Sequence, residues 1–265
     1  MNIYDILRCM KIYGEDVTIQ HKQTSHRMNL VKEFDIQQSP RVLEIGCGQG
    51  DTTAVLAAAV GECGLVHAID PAEPHYGGPI TLGQARDHLL ASTLGKRIQM
   101  DYGTPITAIA ENSTYDVAVL SHCLFYFSSL EEIKETLRII RKVAKRICIA
   151  EWDLRTTMPE QQAHQLAVQI QALYAAFHTT DANIRHIFSN FDMERLLNET
   201  GWTVTLNTVV DASYLDDGQW EIDYALGCDF SSTPSGINQY ARTLQQLMNK
   251  ANGKKSLNSW VLCAE

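Results

Sequence analysis

A run of apolar residues ends in Glu44 and passes into Gly46, Gly48 and Gly50, followed at once by Asp51. Glycines so closely spaced leave backbone that a ligand approaches without Cβ atoms in the way. Set between a strand and a helix, such a turn is a nucleotide-type binding element. About twenty residues on, the next apolar run ends in Asp70-Pro71, where a carboxylate can accept hydrogen bonds from ribose hydroxyls. The run after that ends in Asp101, with Tyr102 beside it. Acids closing successive strands are the makings of a nucleoside site.

A dinucleotide fingerprint requires a further glycine where this chain has Asp51, so that a pyrophosphate can rest on the helix N-terminus. An acid there repels pyrophosphate. It suits a cofactor that carries a sulfonium cation and an α-ammonium group, which favours S-adenosylmethionine over a nicotinamide dinucleotide.

The elements that must position these residues follow from residue 41 onward. Short β-rich runs at 41–45, 65–70, 98–101, 117–121, 147–152, 204–209 and 259–264 alternate with helical periodicity, the pattern of a parallel sheet covered by helices. Leu130, Ile133, Leu137 and Ile140 recur at helical spacing and predict a helix packed on the sheet, with Ser128 and Ser129 as candidate N-caps. Gly61 is expected to stop the helix that begins at Asp51. Pro159 opens a segment, through Phe177, in which Ala163, Leu166, Ala167, Ile170, Leu173 and Tyr174 share a face and predict a lid helix. Residues 212–257 are read as an inserted cap with two further helical pieces around a breaker cluster at 231–236. The expected fold is α/β: a seven-stranded, mostly parallel, doubly wound sheet with helical lid insertions. Residues 1–265 are read as a single domain: an N-terminal helical segment (1–39), a cofactor-binding core (40–154), a lid (155–200) and C-terminal strands (201–265).

The run Val42-Leu-Glu-Ile-Gly-Cys-Gly-Gln-Gly50, then Ala68-Ile-Asp70, Met100-Asp101, Tyr115-Asp-Val117 and Ser121-His-Cys-Leu-Phe-Tyr126, resembles the ordered motifs of class I S-adenosylmethionine-dependent methyltransferases of small-molecule type. The resemblance covers residues 40–154. It implies that Glu44, Gly46, Cys47, Gly48 and Gly50 face the methionine portion of the cofactor, that Asp70 and Pro71 meet the ribose, and that Asp101 and Tyr102 meet the adenine. Ser121 and His122 would lie beside it. The product cofactor would be S-adenosylhomocysteine.

Such a cofactor brings an activated methyl group, so the protein mainly has to align a nucleophile and, for some acceptors, remove a proton. His122 is the candidate general base. The alternative is a histidine that bonds to backbone or cofactor. Tyr126 follows strand four, Glu151 and Trp152 end strand five, and all three are candidate acceptor contacts. Before the first strand, Gln20, Gln23 and Arg27 fall on one helical face. Arg27 is a candidate for the cofactor carboxylate or the acceptor, and a solvated helix is the alternative.

A net charge of −9 over 265 residues disfavours nucleic acid, whose phosphates draw affinity from Lys and Arg. The basic run from Arg138 to Arg146 reads as the C-terminal end of a helix that starts with Glu131 and Glu132. No apolar run approaches the ~20 residues of a membrane span, and no secretory signal opens the chain. A cytoplasmic location and reduced thiols are expected for the seven cysteines, which show no zinc spacing. No metal is expected either, because the acid pattern of the metal-dependent catechol-type enzymes is missing. The function that results is methyl transfer to O, N or C of a small-molecule acceptor. Two alternatives stay open: a non-methylating use of the bound cofactor, such as cyclisation, and a non-catalytic binding subunit.

Overall fold

The structure is a computed structural model that describes residues 1–14, 16–36, 40–110, 112–180 and 182–265. Its strands are β1 (Arg41–Ile45), β2 (Leu65–Asp70), β3 (Ile98–Tyr102), β4 (Tyr115–Ser121), β5 (Ala144–Trp152), β6 (Val204–Val210) and β7 (Ser259–Ala264). They form one sheet in the order β3-β2-β1-β4-β5-β7-β6, in which β7 alone runs opposite to the other six strands. Strand order reverses between β1 and β4. Ligands of open α/β sheets bind at that crevice, beyond the strand carboxyl ends.

The helices are α1 (Ile3–Leu7), α2 (Thr18–Glu33), α3 (Asp51–Ala59), α4 (Leu82–Leu90), α5 (Leu130–Val143), α6 (Gln162–Phe177), α7 (Asn190–Glu199), α8 (Asp217–Gly227) and α9 (Ser235–Lys250). One apolar cluster joins α5 and α7 to a face of the sheet, and another joins α1 to α4 to the opposite face. Ser129 caps α5 by accepting the Glu132 N–H at 3.2 Å, and Ile133, Leu137 and Ile140 are fully buried beneath it. Burial of each such side chain contributes about 1.5–3 kcal/mol. The basic run is divided: residues 138–143 end α5, while residues 144–146 already belong to β5. Helix and strand join without a loop there because Val143 and Ala144 are both buried at the junction.

A third cluster packs Ala163, Ala167 and Ile170 of α6 against Ile222 and Ala225 of α8 and Ala241 and Leu244 of α9. The expected lid helix is therefore a support. None of its residues lines the cavity described next, but it carries α8, which does. His164 on α6 is fully buried and accepts the Leu257 N–H at 2.8 Å. Among the described residues no helix is long and apolar enough to cross a membrane.

Candidate active site

A cavity of about 1200 Å³ opens at the carboxyl ends of β1, β2 and β4. Gly46, Cys47, Gly48, Asp70, Pro71 and Thr104 line one end; His122, Tyr126, Glu151, Trp152, Asp217 and Glu221 line the other. Ser121 lies on the wall as well, and Gln23 and Arg27 reach it from α2.

At the glycine end, Gly48 sits at φ 50°, a left-handed conformation, and a Cβ built there would meet no protein atom within 4 Å. Its N–H donates to Asp70 Oδ2 at 2.9 Å, while Asp70 Oδ1 accepts the Ala72 N–H at 2.9 Å. The Asp70 carboxylate thus ties the ends of β1 and β2 together at the cavity wall. Tyr102 supports the turn from behind, its O–H donating to the Gly48 carbonyl at 2.8 Å, and it does not line the cavity. Gly50 also faces away: a Cβ there would come within 3.0 Å of Leu89 and of Met100, so it is a packing glycine. Glu44 is buried under the turn, with Oε2 accepting the Thr53 O–H at 2.6 Å. Burial pushes its carboxyl up to about 8, against the opposing effects of the Thr53 hydrogen bond and Arg27.

Asp101, at the end of β3, lies apart from the cavity. Its Oδ2 lies 2.9 Å from His67 Nε2 and accepts from Gln99 Nε2 at 2.8 Å, outside the cavity. Side chains alternate along a strand, so Asp101 shares the face of Gln99 and His67, while Met100 and Tyr102 face the turn. The cavity residue after β3 is Thr104, from the loop.

At the other end, His122 occupies the left-handed region at φ 52°, uncommon for a non-glycine residue and typical of functional strain. Its Nε2 lies 3.0 Å from Ser259 Oγ and its Nδ1 lies 3.2 Å from Glu151 Oε1, in ion-pair range without an aligned hydrogen bond. Both ring nitrogens therefore face protein groups. Glu151, 2% exposed, accepts the N–H groups of Leu124, Phe125 and Trp152, which anchors the loop bearing Tyr126. The Trp152 ring lies 4.4 Å from that of His122.

Asp217 and Glu221, one turn apart on α8, complete this end. Asp217 accepts from Gln23 Nε2, and Glu221 accepts from Gln171 Nε2 at 2.5 Å. Burial raises both carboxyls above their ordinary value, while Arg27 acts in the opposite direction on Asp217 and Gln171 on Glu221. Arg27 is bonded to Gln23 Oε1 at 2.8 Å and lies 3.5 Å from Asp51, which also accepts from Gln20 Nε2 at 2.9 Å.

The fold thus gathers Gly46, Cys47, Gly48, Asp70, Pro71, Ser121, His122, Tyr126, Glu151, Trp152 and Arg27, and leaves Glu44, Gly50, Asp101 and Tyr102 behind the wall. Thr104, His26, Asp217 and Glu221 line it without having been singled out. Asp217 and Glu221 had a legible signal, since acids four apart on a helix share a face. Thr104 and His26 had none.

A doubly wound sheet with a glycine turn and an acid-ended second strand at its switch point is the class I S-adenosylmethionine-dependent methyltransferase fold. The chain belongs to the methyltransferase-domain family, whose profile matches residues 20–207. It is similar to a solved cyclopropane-fatty-acyl-phospholipid synthase-like protein from Lactobacillus casei, with 33% identity, a TM-score of 0.92, and coverage of 99% of this chain and 98% of that one. Among curated proteins it resembles the methyltransferase phomM' of Diaporthe leptostromiformis, 30% identical over 51% of this chain and 41% of that protein. It also resembles the demethylmenaquinone methyltransferase of Shouchella clausii, 26% identical over 49% of this chain and 52% of that protein. The matches span about half the length of these curated relatives or less.

Proposed function

We propose that the protein transfers a methyl group from S-adenosylmethionine to the nitrogen of a small amine held at the α8 end of the cavity. The observation that carries this reading is the pairing of ends. A glycine turn with an acid beside it faces the buried Glu151 and the half-buried Asp217 and Glu221 among aromatic rings across one cavity of about 1200 Å³. Ligand sites of roughly 300–1,000 Å³ are usual, so this space suits a nucleoside cofactor and a small partner together.

The residues fit the cofactor. Gly48 presents bare backbone to the cavity, Asp70 brings a carboxylate for ribose hydroxyls, and the Arg27 guanidinium suits a carboxylate. Asp51 suits an ammonium group. When bound, S-adenosylmethionine supplies a methyl group made electrophilic by its sulfonium. The chain's own residues do the rest. Trp152 and Tyr126 give an ammonium group an aromatic surface, and Glu151, Asp217 and Glu221 attract its charge. An ammonium nitrogen has no lone pair, so one proton must leave before attack. A half-buried carboxylate with raised proton affinity, Asp217 or Glu221, takes that proton from N–H and leaves the pair on nitrogen.

The test is product mass and turnover with size-matched amines, phenols and thiols. Amine products heavier by one methyl group are expected, with Glu221→Gln raising KM for amines by roughly tenfold or more. Preferential methylation of phenols, or no binding of S-adenosylhomocysteine by calorimetry, would overturn the proposal. A second reading, action on a fatty-acyl phospholipid, is favoured by the similarity to the Lactobacillus casei protein. Buried carboxylates are poor company for an acyl chain. Phospholipid vesicles in the same assay distinguish the two.

A further inference from the structure

We infer that Ser259 and His26 are positioning residues that hold His122 in one tautomer against Glu151, and that they tie this setting to the seating of α2 over the cavity. The four residues come from four elements: His26 from α2, His122 from the end of β4, Glu151 from β5 and Ser259 from the start of β7. Ser259 is fully buried and His26 is 2% exposed. The Ser259 Oγ lies 2.9 Å from His26 Nε2 and 3.0 Å from His122 Nε2. A hydroxyl has one proton, so it donates to one imidazole and must accept from the other.

Glu151 decides the direction. Its oxygens already accept three backbone N–H groups, an arrangement that suits an ionised carboxylate. A bare lone pair on His122 Nδ1, 3.2 Å from that carboxylate, would be repelled, so Nδ1 carries the proton. In the neutral ring Nε2 is then the acceptor, Ser259 donates to it, and His26 Nε2 donates to Ser259. His26 stays neutral through this exchange, because burial first, then His122 and Arg27, hold it down to about 2 against a smaller opposing pull from the Asp211 backbone, to which its Nδ1 makes no aligned hydrogen bond.

The consequence reaches the cavity through α2. His26 lies on the helix that also carries Gln23 and Arg27 to the wall, so the helix that closes on the cofactor end also orders the ring at the acceptor end. His122 needs such support, because its left-handed backbone is held only where surroundings over-determine it. The ring in turn presents a fixed edge to Trp152 and Glu151. With Nε2 bonded to Ser259 and Nδ1 turned to Glu151, His122 orients its neighbours and does not itself receive the acceptor proton.

This inference rests on the methyl-transfer reading for its activity readout alone. The first test is long-range ¹H–¹⁵N correlation spectroscopy of the whole protein labelled at histidine. With both rings neutral, the expected spectrum has His122 protonated on Nδ1 and His26 protonated on Nε2. A His122 ring protonated on Nε2 would overturn the inference. The second is Ser259→Ala, expected to lower kcat roughly tenfold to a hundredfold and to mix the His122 tautomers, with S-adenosylhomocysteine affinity changed less than about twofold. Unchanged kcat with an unchanged spectrum also overturns it. Should this buried variant fail to fold, the wild-type spectrum decides alone. The predicted tautomers in a protein that methylates nothing would end the methyl-transfer reading and leave this one standing.

Discussion

At the scale of single residues, Glu44 and Gly48 show how neighbouring positions in one turn do different work. Glu44 is shut behind the turn and holds its proton up to about 8, whereas an unfolded chain releases it near 4.5. A raised carboxyl contributes stability that is full below the unfolded value and lost as pH rises through the folded one. Glu44→Gln keeps the shape without the titration. It should leave the urea midpoint unchanged at about pH 4 and remove a loss of up to ~1.4 kcal/mol per pH unit between there and about pH 8. Equal pH dependence in variant and parent would refute the assignment. Gly48 instead faces open cavity at φ 50°. Gly48→Val should cost about 1–3 kcal/mol through strain and weaken S-adenosylhomocysteine binding at least ~100-fold by calorimetry, since its methyl groups enter the ligand's space.

At the scale of elements, α2 joins the cofactor turn to the cap. Gln20 and Arg27 hold Asp51 at the start of α3, while Lys22 meets Asp216 at 3.0 Å and Gln23 meets Asp217. These contacts are unequal in weight. The Lys22–Asp216 pair is about a third exposed on both sides, and Lys22→Ala should change stability by less than ~1 kcal/mol. Arg27 is more enclosed and borders the cavity. Arg27→Ala is expected to raise the S-adenosylhomocysteine dissociation constant about tenfold, with Arg27→Lys restoring little, because the planar fork and not the charge alone suits a carboxylate. Titration calorimetry on the three proteins checks the ranking; equal affinities would remove Arg27 from the cofactor site.

For the whole molecule, His26 and His164 add a slope opposite to that of Glu44. Burial holds them near about 2 and about 3, while the unfolded chain protonates them near 6.5. Depressed values contribute stability that is complete above the unfolded pKa and lost as pH falls toward the folded one. Glu44, Asp217 and Glu221 all slope the other way, so the contribution of one histidine is read by difference: His164→Gln should remove a loss of up to ~1.4 kcal/mol per pH unit as pH falls below 6.5. Urea melts of variant and parent across that range give the difference, and equal pH dependence would contradict it. Much of the molecule was legible beforehand. Strand positions, the order of helices and the glycine turn depend on local rules: alternation with period 2, helical spacing, and positive φ that glycine tolerates. Those rules act within a few residues, so the chain sequence alone determined the sheet and the end of it at which the glycine turn stands. Tertiary packing decided the rest. A single step of strand phase turned Asp101 toward His67, and α6 became a support because its apolar face met α8 and α9. Ser259 reached His26 across 233 residues and His122 across 137, a meeting set by how β7 inserts beside β5. Local periodicity says which face of an element is buried, but not which distant side chain it will meet.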